Sequence, residues 1–136
     1  MSKPQDLRSG LTCRSQTILV VDDESGVREL VCRILRLRGY QVLEADRGVE
    51  ALRLFQEYAD TIHLLLTDIL MPDMNGPALA EQVQALRPCT KVLYMSGYPD
   101  MACFPHLGSQ TGPAFIQKPF VLDVLVQKVR EVLGTA

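Results

Sequence analysis

Apolar residues along the chain follow two periods in turn. The runs "TILVV" (17–21), "YQVLEA" (40–45), "IHLLLT" (62–67), "KVLYM" (91–95) and "AFIQ" (114–117) are short and rich in aliphatic residues, so each predicts a strand. The segments between them repeat at helical spacing instead. Val27, Leu30, Val31, Ile34 and Leu37 predict a first helix that Gly39 stops. Val49, Leu52 and Phe55 predict a second, opened by Asp46 as its cap. Pro77, just after Asn75 and Gly76, suits the first turn of a third helix running to about Leu86. From Tyr98 to Pro113 the residues Pro99, Pro105, Gly108, Gly112 and Pro113 leave room for one short or broken helix. Leu122, Leu125, Val129 and Leu133 form the stripe of a last helix. Alternating strands and helices imply an α/β fold, a parallel sheet with helices on both faces, and the continuously apolar third strand is the one to be covered on both.

Composition then removes several function classes. With 136 residues, 47% hydrophobic and 22% charged, the chain fits one globular domain with a proper core. A formal net charge of -2 supplies no broad basic surface, so direct nucleic-acid binding is not expected. Cys13, Cys32, Cys89 and Cys103 lie far apart with only His63 and His106 as further soft ligands, which signals neither a zinc site nor a redox pair. Reduced thiols and structural or exposed histidines are expected. No apolar run approaches the roughly 20 residues of a membrane span, and "MSKPQDLRSG" lacks the apolar middle of a signal peptide. A soluble, cytoplasmic chain without membrane insertion is the expectation.

Candidate chemistry enters at "HLLLTDILMPDMNG" (63–76), where an apolar strand ends on the carboxylate of Asp68. A charge at the end of a buried strand is costly unless water or a partner compensates it. The other strand ends are polar too: Asp22 and Asp23 after the first, Ser96 after the fourth, Lys118 and Pro119 after the fifth. In an open parallel sheet these ends border the functional crevice, so carboxylates, a hydroxyl and an ammonium would converge there. Three crowded carboxylates repel one another, and a hard divalent cation relieves that repulsion. Magnesium, with its preference for oxygen ligands, matches this set better than zinc or copper. Lys118 and Ser96 are suited to hold phosphoryl oxygens. The chemistry suggested is phosphoryl transfer onto a carboxylate.

Taken in order, "ILVVDDE", "LLLTDILMPDMNG", "VLYMSGY" and "FIQKPF" resemble the receiver domain of two-component response regulators, across roughly Thr17 to Leu133. "VLYMSGY" and the Pro/Gly-rich segment before "AFIQKPF" particularly resemble receivers of hybrid sensor histidine kinases. The resemblance implies a flavodoxin-like, doubly wound five-stranded sheet of order 2-1-3-4-5. It implies Asp68 as phosphoacceptor, Asp23 and Asp68 as direct magnesium ligands, Asp22 as support for the metal or its waters, and Leu70 as donor of a backbone carbonyl. Ser96 takes the place of the family hydroxyl, Lys118 that of the phosphate-contacting lysine, and Phe115 that of the switch aromatic. A cis peptide between Lys118 and Pro119 is implied as well. The partner is then a histidine kinase or a histidine phosphotransfer domain carrying phosphohistidine. The chain is its phosphoacceptor substrate with slow autodephosphorylation, not a true enzyme, and a monomer or weak dimer. A stand-alone single-domain response regulator is the alternative setting. Val121 stands where the family often has an oxygen-bearing cap, so the last helix is expected to start without one, and Pro105 falls in the fourth-helix region.

Taken singly, these residues have plainer readings. Asp22 and Asp23 could cap a helix, Ser96 with Gly97 could form a turn, and Phe115 is a core aromatic by default. Two other function classes share the pattern. An aspartyl-nucleophile phosphohydrolase usually needs a second Asp two residues after the nucleophile, where this chain has Leu70. A receiver-like module that no longer takes phosphate would have lost some of the acidic or lysine positions, and here all are present. Residues 1–16 are polar and weakly patterned, which predicts a flexible tail or linker before a receiver domain over 17–134.

Overall fold

In the computed structural model, which describes residues 16–97 and 114–134, five strands form one parallel sheet. They are β1 (Thr17–Val21), β2 (Gln41–Ala45), β3 (Leu64–Asp68), β4 (Lys91–Ser96) and β5 (Ala114–Gln117), in the order β2-β1-β3-β4-β5. The expected order 2-1-3-4-5 is therefore present. Alternation along each strand sends side chains to opposite faces, and both faces are covered. Ile18, Val20, Leu64, Leu66, Leu93 and Met95 pack with Val31 and Leu35 of α1 (Ser25–Leu37) and Leu125 and Val129 of α4 (Leu122–Leu133). Leu19, Val21, Leu65 and Tyr94 pack with Phe55 of α2 (Gly48–Glu57) and Leu79 and Val83 of α3 (Gly76–Leu86). Every residue of β3 is buried, as its unbroken apolar run required. Burying each such leucine stabilises the fold by about 1.5–3 kcal/mol.

The helix ends follow local chemistry, with one correction. Gly39 and Gly134 follow α1 and α4 at positive φ, 96° and 79°, where glycine carries no Cβ penalty. Asn75 caps α3 by accepting the Ala78 N–H at 2.7 Å. Val121 leaves α4 without a side-chain cap, as expected. Asp46, expected to cap α2, does not: α2 starts at Gly48, its N-cap is Arg47, and Asp46 instead accepts from the Arg47 guanidinium at 3.2 Å. The cap comes from Asp73, which accepts the Gly48 N–H at 3.0 Å and the Val49 N–H at 2.8 Å.

Two buried faces also differ from expectation. On α1 the sheet selects the arc of Val31, Cys32 and Leu35, which leaves Leu37, at the margin of the apolar stripe, 74% exposed. Leu30 is exposed with it. On α2 Val49 points outward, 60% exposed, while Gly48, Ala51 and Phe55 are buried and Leu52 packs partly against the core. His63 is structural, its Nδ1 accepting the Thr17 N–H at 3.0 Å. Residues 1–15 of the predicted tail and the predicted short helix over 98–113, with Pro105, lie outside the described residues. Cys13, Cys103 and His106 lie outside them too.

Candidate functional site

Register alone brings the polar strand ends together. Val21 pairs with Thr67, so Asp22 and Asp23 leave β1 beside Asp68, the last residue of β3. Asp68 pairs with Met95, which sets Ser96 one step beyond, and Ser96 pairs with Gln117, which sets Lys118 one step beyond that. The Lys118 N–H donates to the Ser96 carbonyl at 2.7 Å, and the Lys118–Pro119 bond is cis, as the resemblance implied.

Asp68 and Asp22 are buried, at 7% and 0% exposure, whereas Asp23 is exposed. Two carboxylates this deep need compensation, and Lys118 provides it. Its Nζ lies 3.0 Å from Asp22 Oδ2 and 3.3 Å from Asp68 Oδ2. Burial pulls the Lys118 ammonium down, but the Asp68 and Asp22 carboxylates outweigh it and hold the group above the usual lysine range. The costly strand-end charge thus has a partner drawn from 50 residues further along the chain. Asp22 is tied down further, its Oδ1 accepting the Glu24 N–H at 2.9 Å and its carbonyl accepting from Arg28 Nη1 at 2.8 Å.

One carboxylate oxygen from each of Asp22, Asp23 and Asp68 lies within 4.8 Å of the others. All three are hard oxygen donors, and Lys118 offers one positive charge against them and against Glu24, whose Oε1 lies 3.4 Å away. This donor set fits a divalent cation such as magnesium. After Asp68 the chain forms a tight loop through Leu70, which is exposed and two residues past the carboxylate. The loop closes where the Gly76 N–H donates to the Ile69 carbonyl at 2.6 Å. Phe115 sits opposite Tyr94 on β5, partly buried against the α2 and α3 side of the core.

The sequence reading missed Glu24 and Arg28, which reach Lys118 and the Asp22 backbone, and the bracing role of Asp73. "DDE" made Glu24 visible as an acid, but nothing local foretold its distance to Lys118. Away from this cluster, Cys32 is buried and Cys89 is an exposed free thiol. Burial pushes the Cys32 thiol up to about 11, which removes it as a nucleophile near neutrality. An open groove of about 530 Å³ beside β2 is lined by charges already paired, Arg28 with Glu44 and Arg47 with Asp46. No helix among the described residues is long and apolar enough to cross a membrane.

Comparison with known proteins agrees with this geometry. Residues 18–130 match the response regulator receiver domain. Over 119 residues the chain is 38% identical to the sensor kinase CckA of Brucella abortus (strain 2308), covering 88% of this chain but 13% of that protein. It is 32% identical to the response regulator receiver protein CpdR of the same organism, covering 88% of this chain and 98% of CpdR. Among solved structures, the receiver domain of the hybrid histidine kinase CckA superposes with a TM-score of 0.71 at 37% identity, covering 86% of this chain and 98% of that one. On its sequence, its sheet order and its strand-end cluster, the chain belongs to the response regulator receiver domain family of two-component systems.

Proposed function

We propose that this chain takes a phosphoryl group on Asp68 from a phosphohistidine donor, with magnesium, and relays that state through its surface. The observation that carries the proposal is the cluster at the carboxyl ends of the strands, where Lys118 Nζ lies 3.3 Å from Asp68 Oδ2 beside Asp22 and Asp23. Asp22, Asp23, Asp68 and the Leu70 carbonyl are the groups to hold the ion. Magnesium, when bound, neutralises the carboxylates and the phosphoryl oxygens.

The chain's own residues supply positioning and charge. An Asp68 oxygen forms the new P–O bond in line as the donor's P–N bond breaks, and that bond's electron pair stays on the imidazole, which takes up a proton. Lys118 gives up part of its contact with Asp68 to hold a phosphoryl oxygen, and the Ser96 hydroxyl donates to another. Drawing Ser96 inward frees space for Phe115 to turn, which biases the surface of β5 and α4 between two states. Water attacking phosphorus later breaks the bond from phosphorus to the Asp68 oxygen, which releases inorganic phosphate and slowly returns Asp68 to its free carboxylate. The donor is a histidine kinase or phosphotransfer domain in the cytoplasm.

The similarity to CckA favours a receiver within a hybrid histidine kinase. The near-complete coverage of CpdR supports a stand-alone regulator as the second reading. The test is incubation with a small acyl phosphate and magnesium, followed by intact mass and hydroxylamine treatment. One hydroxylamine-sensitive phosphoryl group is expected on the wild type and none on Asp68→Asn. Phosphorylation of Asp68→Asn at the normal rate, or multiple turnover of phosphomonoesters, overturns the proposal.

A further inference from the structure

The loop after Asp68 is fastened to a helix that begins twenty residues before it. α2 has no cap of its own, because Arg47 at its N-cap makes no side-chain bond to the helix. Both oxygens of Asp73 fill the gap, taking the Gly48 N–H at 3.0 Å and the Val49 N–H at 2.8 Å. The next residue adds an apolar contact: Met74 packs against Gly48 so closely that a Cβ built there would meet Met74 Cγ, with Sδ at 2.7 Å. Two independent contacts of different chemistry therefore anchor residues 73 and 74 to one turn of α2. Burial works against the charged form of Asp73, but the bonds from Val49 and Gly48 outweigh it and hold its carboxyl below the usual aspartate range.

The anchored residues lie in the second half of the tight loop, between Leu70 and the start of α3 at Gly76. Upstream lies Leu70, and downstream Gly76 closes onto Ile69 and packs against Asp68, whose carbonyl oxygen would lie 2.5 Å from a Cβ at Gly76. With the Gly76 end closed onto Ile69 and residues 73 and 74 tied to α2, only three residues, Leu70 to Pro72, separate the two attachments.

We propose that Asp73 is a positioning residue, which uses the first amides of α2 to hold the Leu70 carbonyl and Asp68 in place for a divalent cation. This rests on the magnesium reading of the site. Asp73 bonds α2 rather than a candidate ligand and acts through the loop backbone, so its loss is expected to weaken magnesium affinity about tenfold, the lower end of what outer-shell partners contribute.

The test separates bracing from capping. Magnesium is titrated into the wild type, Asp73→Ala and the double variant Asp73→Ala with Arg47→Ser, following the amide resonances of Leu70 and Met71 and the thermal unfolding midpoint. Serine at position 47 gives α2 a local cap without tying it to the loop. Asp73→Ala is expected to bind magnesium roughly tenfold more weakly and to unfold earlier. The double variant is expected to regain the midpoint and keep the weak binding. Should Asp73→Ala not fold alone, the double variant, in which Arg47→Ser caps α2 locally, carries the affinity comparison by itself. Wild-type affinity in the single variant, or affinity restored by Arg47→Ser, overturns the bracing role alone. Absence of magnesium binding in the wild type overturns the metal reading together with it.

Discussion

A methyl group added at Gly76 would lie 2.5 Å from the Asp68 carbonyl oxygen and 3.1 Å from Ile69 Cα, so the first turn of α3 rests directly on the strand end that carries the proposed acceptor. Those neighbours are backbone atoms and cannot rotate aside. Gly76→Ala is therefore expected to cost about 1–3 kcal/mol through overpacking. Because the displaced group is Asp68, the same variant is expected to slow phosphorylation by acyl phosphate. Gly26, in the first turn of α1, gives the opposite sign: nothing lies within 4 Å of a Cβ there. Gly26→Ala is expected to stabilise by roughly 0.4–1 kcal/mol, chiefly by narrowing the unfolded ensemble. Urea denaturation of both variants beside the wild type checks the pair, and equal midpoints would contradict it. His63 shows the same dependence on its neighbours at the opposite end of the sheet, where its Nδ1 satisfies the first N–H of β1.

α2 is held at both ends by residues outside itself. Asp73 meets its N-terminal amides, while Arg87, just past α3, donates to the Tyr58 carbonyl at its C-terminus and to the Asp60 carbonyl, each at 3.2 Å. The Arg87 guanidinium also sits 5.4 Å above the Phe55 ring. A carboxylate at the amino end and a guanidinium at the carboxyl end both complement the helix dipole. α2 is thus clasped by the two flanks of α3. At the start of α4, Val121 is exposed and makes no side-chain cap bond. Val121→Ser is expected to add about 0.5–1 kcal/mol by satisfying an orphan amide, with little burial lost. A higher urea midpoint with an unchanged slope is the result that checks it, and an unchanged midpoint would count against it.

Across the whole molecule, charge and topology meet at the carboxyl ends of the strands, where Asp22, Glu24 and Asp68 share the Lys118 ammonium. Magnesium binding there is expected to raise the unfolding midpoint, because a ligand of the native state stabilises it by about 2.7 kcal/mol at a hundredfold excess over Kd. Asp23→Ala is expected to lose most of that shift, and thermal scans with magnesium and with chelator compare the two proteins. An undiminished shift would remove Asp23 from the site. The parallel sheet and its polar strand ends were legible beforehand, because periodicity is a local property and each strand end carries its chemistry in adjacent residues. Asp22, Asp23, Asp68, Ser96 and Lys118 could be named from "VVDDE", "LLLTD", "LYMSG" and "IQKPF" without coordinates. What packs where could not. The apolar stripe of α1 is wider than the arc the sheet accepts, so only packing left Leu37 outside and took in Leu35 and Cys32. Asp46 had the local signature of a cap, yet Asp73 fills that role across 25 residues, and Glu24 approaches Lys118 across 94. Local pattern was enough for the five strands, the four described helices and the kinds of groups at the strand ends. Which distant groups meet was settled only on folding, because such contacts depend on the order and register of the strands, and no short stretch of chain contains either.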